Sequence, residues 1–265
     1  MSTFAGVGGS IHYERWAPEG PPTHIVVVVH GYAEYAARYA HLAERLVAEG
    51  AVVYGQDHIG HGRSDGERAL ITDFEHVVRD LRTLVDLAAT EHAGLPLVMI
   101  GHSMGGLLTS RFAQTHPGEV AGIVLLGAVI GDWNWAREVL AEPELPPATT
   151  DFSGMSRDEA AVEAYATDPL IYRGRYKRPL LEAEVIALDR FTAEIDALTM
   201  PVLFCHGDSD PFVDYRTSLA AAESMPTSDL TIRVYEGARH ELVNETNRDE
   251  VIDEIARFVT RIAAA

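Results

Sequence analysis

The chain has 265 residues, of which 47% are hydrophobic and 23% are charged, so it can bury a large core in one domain. Its 40 acidic and 21 basic residues give a net charge of −19. This charge repels phosphate backbones and excludes nucleic acid as an expected partner. The single cysteine, Cys205, excludes an intrachain disulfide.

The N-terminal segment MSTFAGVGGSIHYERW has neither the basic nor the apolar region of a signal peptide. No apolar run along the sequence is long enough to span a membrane. These two features predict a cytoplasmic location.

Short runs rich in β-branched residues recur along the chain and predict strands. The segment IHYERW near the start alternates in the manner of an exposed edge strand, and LTIRVYEG predicts a strand over residues 230–237. Strands buried on both faces are predicted from five fully apolar runs, at residues 25–29, 51–55, 97–100, 123–126 and 202–205.

Amphipathic helices alternate with these strands. Apolar residues at three- and four-residue spacing predict one helix over residues 74–88 and another over residues 251–262. The alternation predicts the α/β fold class, with a mostly parallel central sheet flanked by helices.

Residues 131–199 interrupt the alternation, because this stretch contains several prolines and helix-like pieces but no buried-strand pattern. We interpret it as a helical cap, or lid, inserted into a core made of residues 1–130 and 200–265.

The segment GHSMG, residues 101–105, places a serine between two glycines where a predicted strand meets a predicted helix. This strand–turn–helix context is that of a nucleophile elbow, in which small neighbours allow a strained serine to stand above the sheet edge. Ser103 is therefore the candidate nucleophile. The alternative is a glycine-rich turn without chemistry.

A serine nucleophile needs a base and an acid that orients the base, and in this architecture they follow in the order serine, acid, histidine. His240 lies after the last predicted strand, where the base is expected. Asp208, Asp210 and Asp214 compete for the acid, and the residues alone leave Asp208 and Asp210 nearly equal. Backbone N–H groups of Tyr32 and Met104 are expected to form the oxyanion hole.

Four motifs carry a family resemblance: HGYAEYAARY (30–39), DHIGHGRSDGER (57–68), GHSMGG and EGARHELVNE. They resemble the monoacylglycerol lipase and lysophospholipase branch of the α/β-hydrolase fold. The resemblance implies that Asp210 is the acid. Two positions of the first motif differ from the branch, with Ala33 in place of a glycine and Tyr35 in place of a histidine.

The resemblance implies a serine hydrolase that cleaves carboxylic esters, in particular monoacylglycerols, through an acyl-enzyme on Ser103. The alternatives are a short-chain carboxylesterase or a lysophospholipase, and beyond these a C–C hydrolase, a haloperoxidase or a ligand-binding receptor on the same fold. This chemistry needs no cofactor and no metal, so Asp57, His58 and His61 are expected to fix a loop rather than to bind an ion.

Apolar residues at the start of the cap are candidates to receive the acyl chain or to touch a lipid surface transiently. The alternative is that they only pack the cap onto the core. They are Ile130, Trp133, Trp135 and Leu140. The expected partner is a small-molecule or lipid ester, and the sequence makes no prediction about oligomeric state.

Overall fold

The structure, a computed structural model, describes residues 2–265 and is built on one eight-stranded sheet with the order β1-β2-β4-β3-β5-β6-β7-β8. The strands are β1 (Ser2–Ala5), β2 (Ser10–Trp16), β3 (His24–Val29), β4 (Ala51–Gln56), β5 (Leu97–His102), β6 (Gly122–Leu126), β7 (Val202–Gly207) and β8 (Leu230–Tyr235).

The sheet is mostly parallel, as predicted. Strands β3 to β8 run parallel to one another, whereas β1 pairs antiparallel with β2 and β2 pairs antiparallel with β4. The prediction that IHYERW forms an edge strand is wrong, because Ser2–Ala5 pairs along its outer side. This outer strand has only four residues, mostly exposed, and therefore carries no hydrophobic pattern that could predict it.

Helices cover both faces of the sheet and complete the predicted α/β architecture. One hydrophobic cluster joins the sheet to α1 and α8, and a second joins its other face to α2, α3, α6 and α7. The helices are α1 (Ala40–Ala48), α2 (Phe74–Glu91), α3 (Met104–Thr115), α4 (Trp135–Ala141), α5 (Glu159–Thr167), α6 (Arg178–Ala193), α7 (Tyr215–Glu223) and α8 (Arg248–Ala263).

The segment between β6 and β7 contains α4, α5 and α6 with short 3-10 turns at Ser153–Met155 and Ile195–Ala197. Leu180, Leu181 and Phe191 of α6 belong to the same hydrophobic cluster as α2 and α3. The segment therefore shares the core of the sheet. Its division from the core as a separate cap stays a prediction.

Across residues 2–265, none of the helices has the length and apolar character needed to cross a membrane.

Candidate active site

Ser103 sits in the turn between β5 and α3 with φ 54° and ψ −123°, a conformation that few non-glycine residues adopt. Such a backbone costs about 1–3 kcal/mol and is typical of functional sites. The amide of Ser103 donates to Leu126 O at 3.0 Å, and this hydrogen bond stabilises the turn. A Cβ at Gly105 would overlap the carbonyl oxygens of Val29 and His30, so only glycine lets the helix approach the strand this closely.

His240 and Asp210 meet at the carboxyl edge of the sheet. The Nδ1–H of His240 donates to Asp210 Oδ2 at 2.7 Å. The other carboxylate oxygen, Oδ1, accepts from the amides of Phe212 at 2.8 Å and Val213 at 3.1 Å, which fixes the plane of the carboxylate. Among residues 2–265 no hydrogen bond joins Ser103 to His240, but both side chains line one cavity.

The two competing aspartates have structural roles. Asp208 Oδ1 accepts from the amide of Gly237 at 2.7 Å, and Asp214 caps α7 by accepting from the amide of Arg216 at 3.0 Å. Neither aspartate forms the contact with His240 that Asp210 forms. The geometry therefore favours Asp210, the aspartate that the family resemblance implies.

A second imidazole, that of His206, contacts the same carboxylate. His206 Nε2 lies 3.1 Å from Asp210 Oδ2 and 3.1 Å from the carbonyl oxygen of Val213. Its N–H can donate to either acceptor. The only sequence signal for it is its place four residues before Asp210, near the end of β7.

The electrostatics of the pair suit a base that is oriented by an acid. Burial alone would raise the pKa of Asp210, but the positive charges and hydrogen bonds of His240 and His206 hold it well below its ordinary value. Burial opposes protonation of His240, yet the Asp210 carboxylate raises the pKa of His240 above its ordinary value. Asp210 is therefore ionised at neutral pH and stabilises an imidazolium on His240.

The two amides expected to bind an oxyanion both belong to residues that line the cavity, Tyr32 and Met104. Within the described chain, neither amide has a hydrogen-bond acceptor. Next to Tyr32, Ala33 has φ 69°, a left-handed conformation that glycine adopts at lower cost. The loop thus keeps a backbone conformation typical of glycine at position 33, although the residue there is alanine.

Tyr35, the other departure in this loop, connects the loop to the 131–199 segment. Its hydroxyl donates to Asp168 Oδ2 at 2.6 Å, and nearby the amide of Tyr172 donates to Ala33 O at 2.9 Å. The segment is therefore anchored directly on the loop that carries the Tyr32 amide.

A buried charge network supports the same loop and was missed by sequence reasoning. Glu34 Oε1 accepts from the Gly31 amide at 2.7 Å, from Tyr39 at 2.7 Å and from His102 Nδ1 at 2.8 Å. Burial would raise the pKa of Glu34, but the hydrogen bond and charge of His102, with Arg38, hold it well below its ordinary value.

The hydrogen-bond and charge network continues to the loop that carries His240. Arg38 bridges Glu34 to Glu241, the residue after His240, and His102 Nε2 lies 3.2 Å from the carbonyl oxygen of His240. The signal for these residues was present in the motifs HGYAEYAARY and GHSMGG. Their spacing alone does not reveal that they meet.

The cavity at Ser103 has an empty volume of about 890 Å3, its open mouth included. Of the four apolar residues proposed to receive the acyl chain, only Trp133 lines it. Ile130 is fully buried in the core, and Trp135 and Leu140 pack against the core outside this cavity.

The loop of the motif DHIGHGRSDGER lies beside the site and is fixed by Asp57. The carboxylate of Asp57 accepts from the amides of Ala36 at 2.9 Å and Arg63 at 2.8 Å. His58 stacks on His30 with ring centroids 3.8 Å apart. Among residues 2–265 no group of three or more His, Cys, Asp or Glu side chains is arranged to hold a metal ion.

The sheet order, the strained serine after β5 and the buried Asp210–His240 pair are those of an α/β hydrolase. A profile of the family described as "Serine aminopeptidase, S33" matches residues 20–247. The chain belongs to this family.

Named relatives span nearly the whole chain. A monoacylglycerol lipase of Mycolicibacterium smegmatis is 36% identical, over 97% of this chain and 95% of that protein. The monoglyceride lipase of Homo sapiens is 33% identical, over 94% of this chain and 86% of that protein.

The solved structure of a Paleococcus ferrophilus monoacylglycerol lipase superposes with a TM-score of 0.82 at 26% identity, over 95% of this chain and 99% of that one. These similarities confirm the predicted fold and family resemblance.

Proposed function

We propose that the protein hydrolyses monoacylglycerols to glycerol and fatty acid, with Ser103 as the nucleophile, His240 as the base and Asp210 as the acid that orients it. The observation that carries the proposal is the buried Asp210–His240 pair, whose His240 lines the same cavity as the strained Ser103. The names of the two relatives at 36% and 33% identity support the choice of substrate.

The reaction is acyl transfer to water. Ser103 Oγ attacks the ester carbonyl carbon while His240 Nε2 takes the hydroxyl proton, and Asp210 holds the opposite Nδ1–H and stabilises the imidazolium. The amides of Tyr32 and Met104 donate to the oxyanion. His240 then protonates the leaving alcohol, activates the water that attacks the acyl-enzyme, and returns a proton to Ser103.

Aromatic and aliphatic side chains of the cavity would accept the acyl chain, since apolar contacts contribute most of the binding energy of such ligands. They include Trp133, Phe152, Leu180, Phe212 and Val213. The proposed chemistry uses no metal and no organic cofactor.

We also propose a transient contact with a lipid surface through the 131–199 segment. The residue that motivates this proposal is Ile186 on α6, whose side chain is 51% exposed. Burial of one such side chain contributes about 1.5–3 kcal/mol, which is enough only for a transient contact. The cytoplasmic location stays a prediction.

The test is glycerol release from purified protein with monoacylglycerols of increasing acyl length, and with Ser103→Ala as the blank. We expect release that depends on Ser103 and has an optimum in chain length. Lysophosphatidylcholine and a short activated ester are assayed beside the series. Turnover of either one without glycerol release would favour the lysophospholipase or the short-chain esterase and would contradict the proposal.

A further inference from the structure

Glu184 lines the same cavity but has no part in the proposed reaction. It lies on α6, is 4% exposed, and makes no hydrogen bond or ion pair with any of residues 2–265. Because its carboxyl oxygens have no partner among the described residues and are not fully buried, they are open to the cavity, where a carboxyl group keeps only part of its hydration at a cost in free energy. A leucine at this position would avoid that cost, so packing does not explain the glutamate.

The neighbours of Glu184 are aromatic. Tyr176 and Tyr32 stack with ring centroids 4.7 Å apart, and both line the cavity. Burial raises the pKa of the Tyr176 phenol, and the charge of Glu184 raises it further. Tyr176 and Glu184 line the same cavity. Leu180 lies one helical turn before Glu184 on α6 and also lines the cavity.

A second polar group in this region also lacks a partner. The hydroxyl of Tyr32 is buried and has no hydrogen-bond partner within the described chain. The charge of Glu184 is among the causes that raise the pKa of this phenol, after burial and the neighbouring tyrosines. Because this hydroxyl is fully buried, it is not open to the cavity, and the Glu184 carboxyl is the polar group that the cavity presents beside the stacked rings of Tyr32 and Tyr176.

We propose that Glu184 forms a polar subsite for a hydroxyl group on the acyl chain of the substrate. The inference rests on the proposed function and deepens it. The subsite selects esters of hydroxylated acids, because a saturated chain that fills the same space leaves Glu184 without a partner.

The protonation of Glu184 fits this role. Burial raises the pKa of its carboxyl group to about 8, so the group is mostly neutral at pH 7. A neutral carboxyl can donate one hydrogen bond and accept another. A hydroxyl has the complementary donor and acceptor.

The test compares kcat/KM for saturated monoacylglycerols with that for their ω-hydroxy counterparts at each chain length. At the length that reaches Glu184, we expect the wild-type protein to prefer the hydroxylated ester by about tenfold or more. Glu184→Leu is expected to abolish the preference and to improve turnover of the saturated ester. Glu184→Gln is expected to retain it, because the amide also donates and accepts.

Glu182→Leu is the matched control, since it makes the same change on the exposed side of α6 and is expected to leave the ratio unchanged. A wild-type protein without hydroxyl preference at any length would overturn the subsite, as would a preference that persists in Glu184→Leu. If Glu184→Leu does not unfold cooperatively, the wild-type series and Glu184→Gln still decide.

Failure of the proposed function can be distinguished from failure of the subsite. If the proposed function is wrong, neither the saturated nor the ω-hydroxy series releases glycerol in a Ser103-dependent way. In that case calorimetric titration of the wild-type protein with free ω-hydroxy acids and their saturated parents makes the same comparison without turnover. Equal affinity for the two at every length would overturn the subsite.

Discussion

Ala33 holds a left-handed backbone conformation, with φ 69°, in the loop that carries the Tyr32 amide. A non-glycine residue in this conformation destabilises the folded state by about 1–2 kcal/mol, and glycine removes that strain. Glycine also makes the unfolded chain more flexible, which offsets about 0.4–1 kcal/mol of the gain. We therefore expect Ala33→Gly to raise the free energy of unfolding by about 0.5–1 kcal/mol. Denaturant unfolding measures this.

Ala36 gives the control for that substitution, because it is buried at the start of the 3-10 turn that follows this loop and has no positive φ. We expect Ala36→Gly to lower the free energy of unfolding by about 0.5–1 kcal/mol. A destabilising Ala33→Gly would show that the strain is not where the backbone angles place it.

Asp210 sets both the orientation and the pKa of His240. Since the base must be neutral, activity is expected to rise with pH through a pKa above the ordinary value of about 6.5. Asp210→Asn removes the charge that raises this pKa, so the midpoint of the acid limb should move to lower pH. We expect kcat to fall by about 10⁴-fold.

The pH profile of kcat/KM with an activated ester measures both effects. Asp208→Asn is the matched control, because Asp208 is in the same loop but bonds to Gly237 instead of His240. An equal loss of kcat in both variants would contradict the assignment of the acid.

At the scale of elements, the 152–157 stretch is tied to the loop that carries the base. The amide of Glu241 donates to Met155 O at 2.7 Å. Buried Glu245 accepts from the Arg157 side chain at 2.9 Å and from the Arg239 amide at 2.9 Å. These bonds tie the residues on both sides of His240 in sequence to the 152–157 stretch or to Glu245.

Glu245→Ala would leave those donors without an acceptor. We expect it to lower the free energy of unfolding by roughly 1–3 kcal/mol and to reduce kcat more than it changes KM. Exposed Glu250, replaced by alanine, is the control. If the two variants unfold at the same denaturant concentration, the tie contributes nothing to stability.

How far the sequence predicts this molecule also varies with the element. The strand Leu97–His102 can be predicted from its fully apolar run at residues 97–100. The order of the strands then places Ser103 and His240 at the same edge of the sheet. The pairing of Ser2–Ala5 and the inward turn of Glu184 depend on tertiary contacts. Helical spacing separates Glu182 from Glu184 but does not say which of them meets solvent.

At the scale of the whole molecule, buried histidines make stability depend on pH. Burial lowers the pKa of His30 and His58 and takes that of His61 to about 3. Each is neutral in the folded state, whereas the unfolded chain binds protons below about pH 6.5. The contribution of each neutral histidine to the free energy of unfolding is therefore fully present above pH 6.5. It is lost as the pH falls from 6.5 towards the pKa of the folded state.

We expect a slope of up to about 1.4 kcal/mol per pH unit for each of these histidines below pH 6.5. The lowered pKa values of Glu34 and Asp210 also make the free energy of unfolding fall as the pH falls, but at lower pH. The raised pKa of His240 has the opposite effect, because the folded state then binds one proton more readily than the unfolded chain. Denaturant unfolding at pH 7.5, 6 and 5 measures the slope. A free energy of unfolding that is constant over that range would contradict it.

The cavity walls have two origins in the chain. Eleven of the 23 lining residues, including Trp133 and Glu184, come from the continuous stretch 131–199, and the reacting groups come from outside it. Recombination at two crossover points, one on each side of this stretch, would therefore transplant half of the wall and leave Ser103, Asp210 and His240 in their original sequence context. Substrate preference in this chain can consequently change by exchange of one block of sequence, without the accumulation of scattered point mutations.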